Sequence, residues 1–203
     1  PELGCRLVDV EGGGEGAEAL IREFATESDE NQVAWRGGHR HVARIERAET
    51  PSGMGKELRT DGTVVIAGGL GRLGLHVARW LAGRGVQHLV LIGRRGKETP
   101  GAGEAAAELE RLGARVTIAA VDVTHRDELA AVLSNIPTAL PLRGVVHAVM
   151  ASDPSVLTLQ NTERFASVMS AKVRGAENLD ALTREADLDF FVLFSSFAGI
   201  VGS

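Results

Sequence analysis

The sequence predicts an α/β protein: a doubly wound parallel sheet with helices on both faces, preceded by the end of a second, smaller unit. Three observations carry that expectation. From Thr63 onward, short uninterrupted apolar runs alternate with segments of helical periodicity, the pattern of parallel strands buried on both faces. The first of those runs ends in a glycine-rich turn, residues 66–74 (IAGGLGRLG), that opens directly into a helix. Before it, residues 46–62 are polar and carry glycine and proline, so the pattern changes there.

Residues 1–48 make the smaller unit. Residues 5–10 (CRLVDV) read as a strand, and 16–28 as an amphipathic helix with Ala19, Leu20, Ile21 and Phe24 near one side. Two short strands then flank Arg36-Gly37-Gly38, a hairpin signal. Three strands and one helix are too few to bury a core alone, so this unit is expected to pack on a segment upstream. Residues 49–62 are assigned as the linker and 63–203 as the larger unit.

In the larger unit, residues 63–69 form a strand, and 72–85 a helix expected to turn Leu73, Val77, Trp80 and Leu81 inward. A strand at 88–95 and a helix at 101–114 follow, the helix closed by Gly113 as its C-cap. A third strand spans 115–123 and a third helix 125–136, with Thr124 as its N-cap. A fourth strand at 142–150, one long helix at 162–186 and a fifth strand at 188–196 complete the series. Trp35, Trp80 and Phe197 are expected in the core. No helix follows the last strand, so the domain is expected to be incomplete at its carboxyl end. Its open apolar edge predicts poor solubility for residues 1–203 in isolation.

Composition narrows the function. A formal charge of −5 and the lack of a basic block argue against a nucleic-acid surface. The single cysteine excludes an internal disulfide framework and a cysteine-rich zinc site, and fits a reducing cytoplasmic setting. No apolar run is long enough to cross a membrane, and the first residues do not read as a signal peptide.

The chemistry sits in the glycine turn and the strand ends. Gly69 is assigned the tight turn, Gly71 the close approach of backbone to a pyrophosphate, and Gly74 the close packing of helix on strand. The helix N-terminus then offers unpaired N–H groups and partial positive charge to phosphates. A glycine turn with no ligand is the competing reading. At the end of the second strand, where an acid would select NAD, stands Gly93-Arg94-Arg95. A guanidinium there suits a 2′-phosphate through paired, charge-assisted hydrogen bonds, which favours NADPH; a solvated basic turn is the alternative. Asp122 and Val123, after the third strand, stand where a side chain reaches an adenine amino group. On residue type alone Lys172 reads as a solvated helix lysine, and Ser195 and Ser196 as a strand end. His147 reads as a packed or cofactor-side histidine rather than a metal ligand or base.

Together these stretches resemble the short-chain dehydrogenase/reductase superfamily, and more narrowly the ketoreductase domain of modular type I polyketide synthases. The carrying residues are 62–85, 88–96, 114–129, 141–148, 171–183 and 191–202, with 31–45 similar to the end of that family's structural subdomain. That subdomain is a degenerate Rossmann-like unit without a cofactor site. The resemblance implies NADPH-dependent reduction of a β-ketoacyl chain carried on an acyl carrier protein, within a synthase of several domains. It implies that Gly69, Leu70, Gly71, Arg72 and Leu73 line the pyrophosphate turn, that Arg94 holds the 2′-phosphate, and that Asp122 and Val123 flank adenine. Ala148 lies on the segment passing behind the nicotinamide ribose. Lys172 matches the family's active-site lysine, which is also implied to bind the cofactor, and Ser196 the serine that hydrogen-bonds the ketone oxygen. The family's proton donor is a tyrosine a little further along; none occurs in these residues, and it is expected beyond Ser203.

Three positions depart from the family pattern. Ala67 stands where threonine is common, and Val149-Met150 follow Ala148 where a small residue and glycine are usual, so Met150 is expected to crowd the ribose. Ser152-Asp153-Pro154 replaces the Leu-Asp-Asp of members giving one alcohol configuration, which implies the opposite, A-type outcome. The same departures leave open a reduction-incompetent member that acts as an epimerase or a scaffold.

Overall fold

The computed structural model describes residues 5–47, 58–151, 153 and 155–198. The chain divides into two compact units: residues 1–53 together with 197–203, and residues 54–196.

The smaller unit holds strand β1 (Leu7–Val10), helix α1 (Gly14–Phe24) and strands β2 (Gln32–Arg36) and β3 (His39–Val42). β1 and β2 run parallel, β2 and β3 antiparallel. Arg36 pairs with His39, so Gly37-Gly38 is a two-residue hairpin loop. Their φ angles of 53° and 76° are left-handed at both positions, as a type I′ turn requires. The inward face of α1 differs from the expected one. Gly16, Ala19 and Glu23 are buried, whereas Ile21 and Phe24 are exposed. The reason is polar: Glu23 accepts from Arg6 (2.8 Å), from the Trp35 indole (3.1 Å) and from Arg40 (2.7 and 3.0 Å). Trp35 is buried, as expected.

The larger unit is a five-stranded parallel sheet in the order β6-β5-β4-β7-β8. Its strands are β4 (Thr63–Ala67), β5 (His88–Gly93), β6 (Arg115–Ala120), β7 (Leu142–His147) and β8 (Phe190–Leu193). Helices α2 (Arg72–Ala82), α3 (Ala102–Arg111), α4 (Arg126–Ser134), α5 (Thr162–Met169) and α6 (Gly175–Thr183) connect them. β4 from Val64 and β5 from Leu89 are apolar because both faces are covered, and each strand opens on a buried polar residue, Thr63 and His88. Val64, Ile66, Leu89 and Leu91 pack with Ala78, Leu81 and Leu109 on one face. Val65, Ala67, Val90 and Ile92 pack with Leu129, Val145 and Leu179 on the other. Each such large side chain contributes roughly 1.5–3 kcal/mol on burial. Leu58–Gly62, the last residues of the expected linker, lie on this unit: Arg59 donates to Asp189 from its amide (3.0 Å) and its Nε (2.7 Å). Residues 49–57 of that linker lie outside the described residues.

Helix ends follow the sequence where glycine sets them. Gly113 has φ 97°, its N–H donates to Glu110 O (2.9 Å), and Ala114 N–H donates to Leu109 O (3.2 Å), a Schellman motif. Other expectations are corrected. Leu73 and Trp80 point outward, because α2 meets the sheet through Gly74, Ala78, Leu81 and Ala82, a stripe too close to the strands for an indole. Trp80 instead carries the Arg84 guanidinium 3.8 Å from its ring centre. Phe197 is exposed. Thr124 is not the N-cap of α4. Its hydroxyl donates to Asp122 (2.8 Å), and His125 takes the cap position, accepting from Leu129 N–H (3.0 Å). The long helix is not continuous, because a π-turn, Ser170–Arg174, separates α5 from α6. The last strand ends at Leu193, before the serines.

Candidate active site

The chain runs β4, β5, β6 toward one side of the sheet and then returns to place β7 and β8 on the other. Crossovers therefore reverse direction between β4 and β7, and an open α/β sheet binds ligands beyond its strand carboxyl ends at that crevice. The residues after β4 form a glycine cradle that leaves no room for a Cβ at residues 68, 69 and 74 and little at 71. Gly68, not Gly69, takes the left-handed backbone (φ 76°), which corrects the assignment of the tight turn. A Cβ at Gly68 would stand 2.6 Å from Ala148 O, and one at Gly74 would stand 2.2 Å from Gly68 O. At Gly69 the contact would be 2.8 Å to Ile66 O, and at Gly71 3.2 Å to Gly68 O. The turn is tied down by Gly68 N–H to Ile92 O (2.8 Å) and Gly71 N–H to Gly68 O (2.9 Å).

Gly71 then caps α2 without a side-chain acceptor, and the first turn of α2 carries no acid. The leading N–H groups of α2 and the positive end of its dipole thus face outward unneutralised, an arrangement suited to phosphate. Leu70 packs on the core, while Arg72 and Leu73 are exposed at the rim. Arg94 follows β5 directly and is exposed. Burial works to raise the Asp122 carboxyl, yet the Thr124 amide (2.9 Å) and hydroxyl (2.8 Å), with nearby positive charge that includes Arg94, hold it below its usual value. Asp122 therefore presents a carboxylate acceptor one strand over from Arg94. Val123 is buried in the core, and its carbonyl accepts from Asn178 Nδ2 (2.9 Å).

On the other side of the crevice, Ala148 N–H donates to Ala67 O (2.8 Å), and the Ala148 carbonyl lies over Gly68. His147 is buried and packed, as expected, with its Nε2 3.1 Å from Ala171 O. Lys172, the next residue, is exposed in the π-turn, and Ser196 is exposed three residues past β8. Met150 is 83% exposed. Asp153 is held by Arg164 through Nε (2.5 Å) and Nη2 (2.9 Å), while Ser152 and Pro154 lie outside the described residues. Sequence reasoning missed Gly68, Gly175 and Asn178. Gly68 was visible as the first of paired glycines, and Asn178 as a polar residue at an apolar helix spacing. Among the described residues no histidine, cysteine and acid cluster suits a metal, and no helix is long and apolar enough to cross a membrane.

A glycine cradle at the switch point of a doubly wound parallel sheet, with a basic residue after the second strand, is the arrangement of the short-chain dehydrogenase/reductase fold. Residues 62–203 match the KR domain family, and the chain belongs to it. It is 40% identical, over its whole length, to 13% of the pikromycin polyketide synthase component PikAIII of Streptomyces venezuelae. Over 97% of the chain it is 42% identical to erythronolide synthase EryA3 of Saccharopolyspora erythraea, of which it spans 6%. Among solved structures it is similar to an A-type ketoreductase from a modular polyketide synthase (TM-score 0.85, 40% identity, 98% of this chain and 42% of that one). It is also similar to a C2-type ketoreductase (TM-score 0.81, 31% identity, 98% and 43%). The chain thus spans under half of each of these four relatives.

Proposed function

We propose that this chain is the cofactor-binding part of an NADPH-dependent ketoreductase that reduces a β-ketoacyl thioester on an acyl carrier protein to the β-hydroxy form. The observation that carries this reading is the glycine cradle at the head of α2 with Arg94 on the neighbouring strand end. The residues present fit the dinucleotide. Gly69, Leu70, Gly71, Arg72 and Leu73 offer backbone to the pyrophosphate, Arg94 pairs with the 2′-phosphate, and Asp122 with Val123 borders adenine. Ala148 backs the nicotinamide ribose. Bound NADPH supplies the hydride.

Ser196 donates a hydrogen bond to the ketone oxygen, holding it where negative charge develops. The Lys172 ammonium steadies that charge and would lower the pKa of a tyrosine acting as the family's proton donor, a residue type these residues do not contain. The multidomain relatives support other domains of one synthase as partners. Ser152-Asp153-Pro154 in place of Leu-Asp-Asp supports the A-type configuration. A reduction-incompetent role is not favoured: the cradle is intact, and Met150 is turned to solvent.

The test is a titration of the protein with NADPH and NADH before and after Arg94→Ala. Loss of two charge-assisted hydrogen bonds predicts roughly 10- to 100-fold weaker NADPH binding with NADH unchanged. Equal loss for both cofactors, or none, refutes the assignment of Arg94.

A further inference from the structure

The helix that carries Lys172 is broken one residue earlier, and the break has a partner. In the π-turn the N–H of Gly175 donates to Ser170 O, five residues back, and not to Ala171 O, four residues back. The Ala171 carbonyl therefore loses its regular helical donor. His147, at the carboxyl end of β7, stands with Nε2 3.1 Å from that oxygen, and because a carbonyl only accepts, Nε2 carries the hydrogen. The helix can come this near the strand ends only because residue 175 is glycine. A Cβ there would lie 2.6 Å from Val123 Cγ2 and 3.0 Å from His147 Nε2. One turn further on, Asn178 Nδ2 donates to Val123 O (2.9 Å) and Thr124 O (3.1 Å), so the same helix face is bound at two heights.

We propose that His147 is a positioning residue for Lys172: its Nε2–H holds the carbonyl released by the π-turn, and so fixes where the adjoining lysine projects. Burial lowers the imidazole pKa, against hydrogen bonds to backbone at Ala171 and at His147 itself that raise it. The bond joins the strand that borders the crevice to the residue next to Lys172, whereas the cradle and Arg94 lie on β4 and β5. Because Ala148, beside His147, borders the nicotinamide ribose, loss of the bond should act at the nicotinamide end and lower turnover far more than overall cofactor affinity. The inference rests on the assignment of Lys172 to the active site.

The experiment compares Lys172→Ala, His147→Phe, His147→Gln and Gly175→Ala in the full-length protein, with NADPH and a β-ketoacyl thioester as substrates. His147→Phe keeps a ring without a donor, and a kcat lower by about 10- to 100-fold with KM for NADPH within about 2-fold is expected. His147→Gln, which retains an N–H, recovers part of the rate. Gly175→Ala, whose Cβ would meet Val123 Cγ2 and His147 Nε2 and so pushes the helix off the strand ends, lowers kcat in the same selective way. Amide exchange, followed by mass spectrometry, is expected to quicken in a peptide covering 170–176 in His147→Phe and to stay unchanged in the α2 peptide. Lys172→Ala separates the two ideas. If it retains full rate, the active-site assignment fails and this inference with it. If it abolishes turnover while His147→Phe and Gly175→Ala keep wild-type kcat and exchange, the positioning role alone is overturned.

Discussion

Glu23 is the buried charge on which the smaller unit turns, and its removal has a calculable cost. The carboxylate is 2% exposed and accepts from Arg6, Arg40 and the Trp35 indole. Hydrogen bonding to Arg40, against the opposing effect of burial, brings its pKa down to about 2. Breaking a fully buried ion pair costs about 3–5 kcal/mol. Here the arginine side chains are 27% and 23% exposed and regain water once released, which lowers that figure. The Trp35 N–H stays buried without an acceptor, at about 1 kcal/mol. Glu23→Ala is therefore expected to destabilise this unit by about 2–3 kcal/mol. The assay is urea unfolding followed by Trp35 fluorescence in a Trp80→Phe background. The pH dependence gives a second readout. A carboxyl whose folded pKa lies below its unfolded value of 4.5 adds stability above pH 4.5, and that stability is lost as pH falls toward about 2. The difference between wild type and Glu23→Gln should shrink over that window. A destabilisation below about 1 kcal/mol, or a pH-independent difference, refutes the assignment of Glu23 as the anchor.

Three substitutions in the larger unit have outcomes that its geometry sets. Gly74→Ala places a Cβ 2.2 Å from Gly68 O and 2.7 Å from Gly69 Cα, both main chain, so the turn must open. A loss of about 1–3 kcal/mol and of NADPH binding is expected by thermal melting and titration, whereas Gly103→Ala in α3, which meets nothing within 4 Å, should stabilise by up to about 1 kcal/mol. His88 is buried and neutral: Thr117 Oγ1 donates to its Nε2 (2.9 Å), and its Nδ1 donates to Thr63 Oγ1 (2.8 Å), which donates on to Leu140 O. Burial first, then Arg115, lowers its pKa from 6.5, so its contribution is complete above pH 6.5 and is lost as pH falls below it. His88→Gln should show a shallower fall of stability with acid than wild type, and an identical slope would refute the assignment.

What the sequence makes legible is what the backbone limits. The Gly37-Gly38 hairpin, the Gly113 helix end and the glycine cradle each follow from a conformation or approach that other residues cannot take, so residue type alone reports them. The central strands are legible for a related reason, since a run apolar on both alternations has nowhere to lie but between two layers. What depends on a distant partner is not legible. An acid at residue 23 of an amphipathic helix points to solvent by every local rule, and only Arg6, Arg40 and Trp35 reverse that. Trp80 looks like core until the small residues of α2 bring the helix too near the sheet. Thr124 is a good N-cap by type, but Asp122 two residues earlier competes for it. A π-turn adds one residue to a helix without altering its apolar composition, so periodicity cannot report it.

The arrangement of these partners bears on how the two sides of the crevice are kept in register. β5 and β6, with Arg94 and Asp122, lie on one side of the switch point, and β7 and β8, leading to Ala148 and Ser196, on the other. The sheet joins them through β4, whose end is the glycine cradle. The helix α5–α6 joins them a second time above the strand ends, bound to the segment after β6 through Asn178 and to β7 through His147. Two independent ties across one crevice resist small displacements of its two sides, which the proposed hydride transfer would not tolerate. The ties differ in kind: that of β4 is backbone to backbone and insensitive to side-chain identity, whereas the helical one hangs on two side chains and a glycine. Substitutions that alter turnover without altering the fold or cofactor affinity should therefore gather at residues 147, 175 and 178, and those that abolish cofactor binding at 68–74.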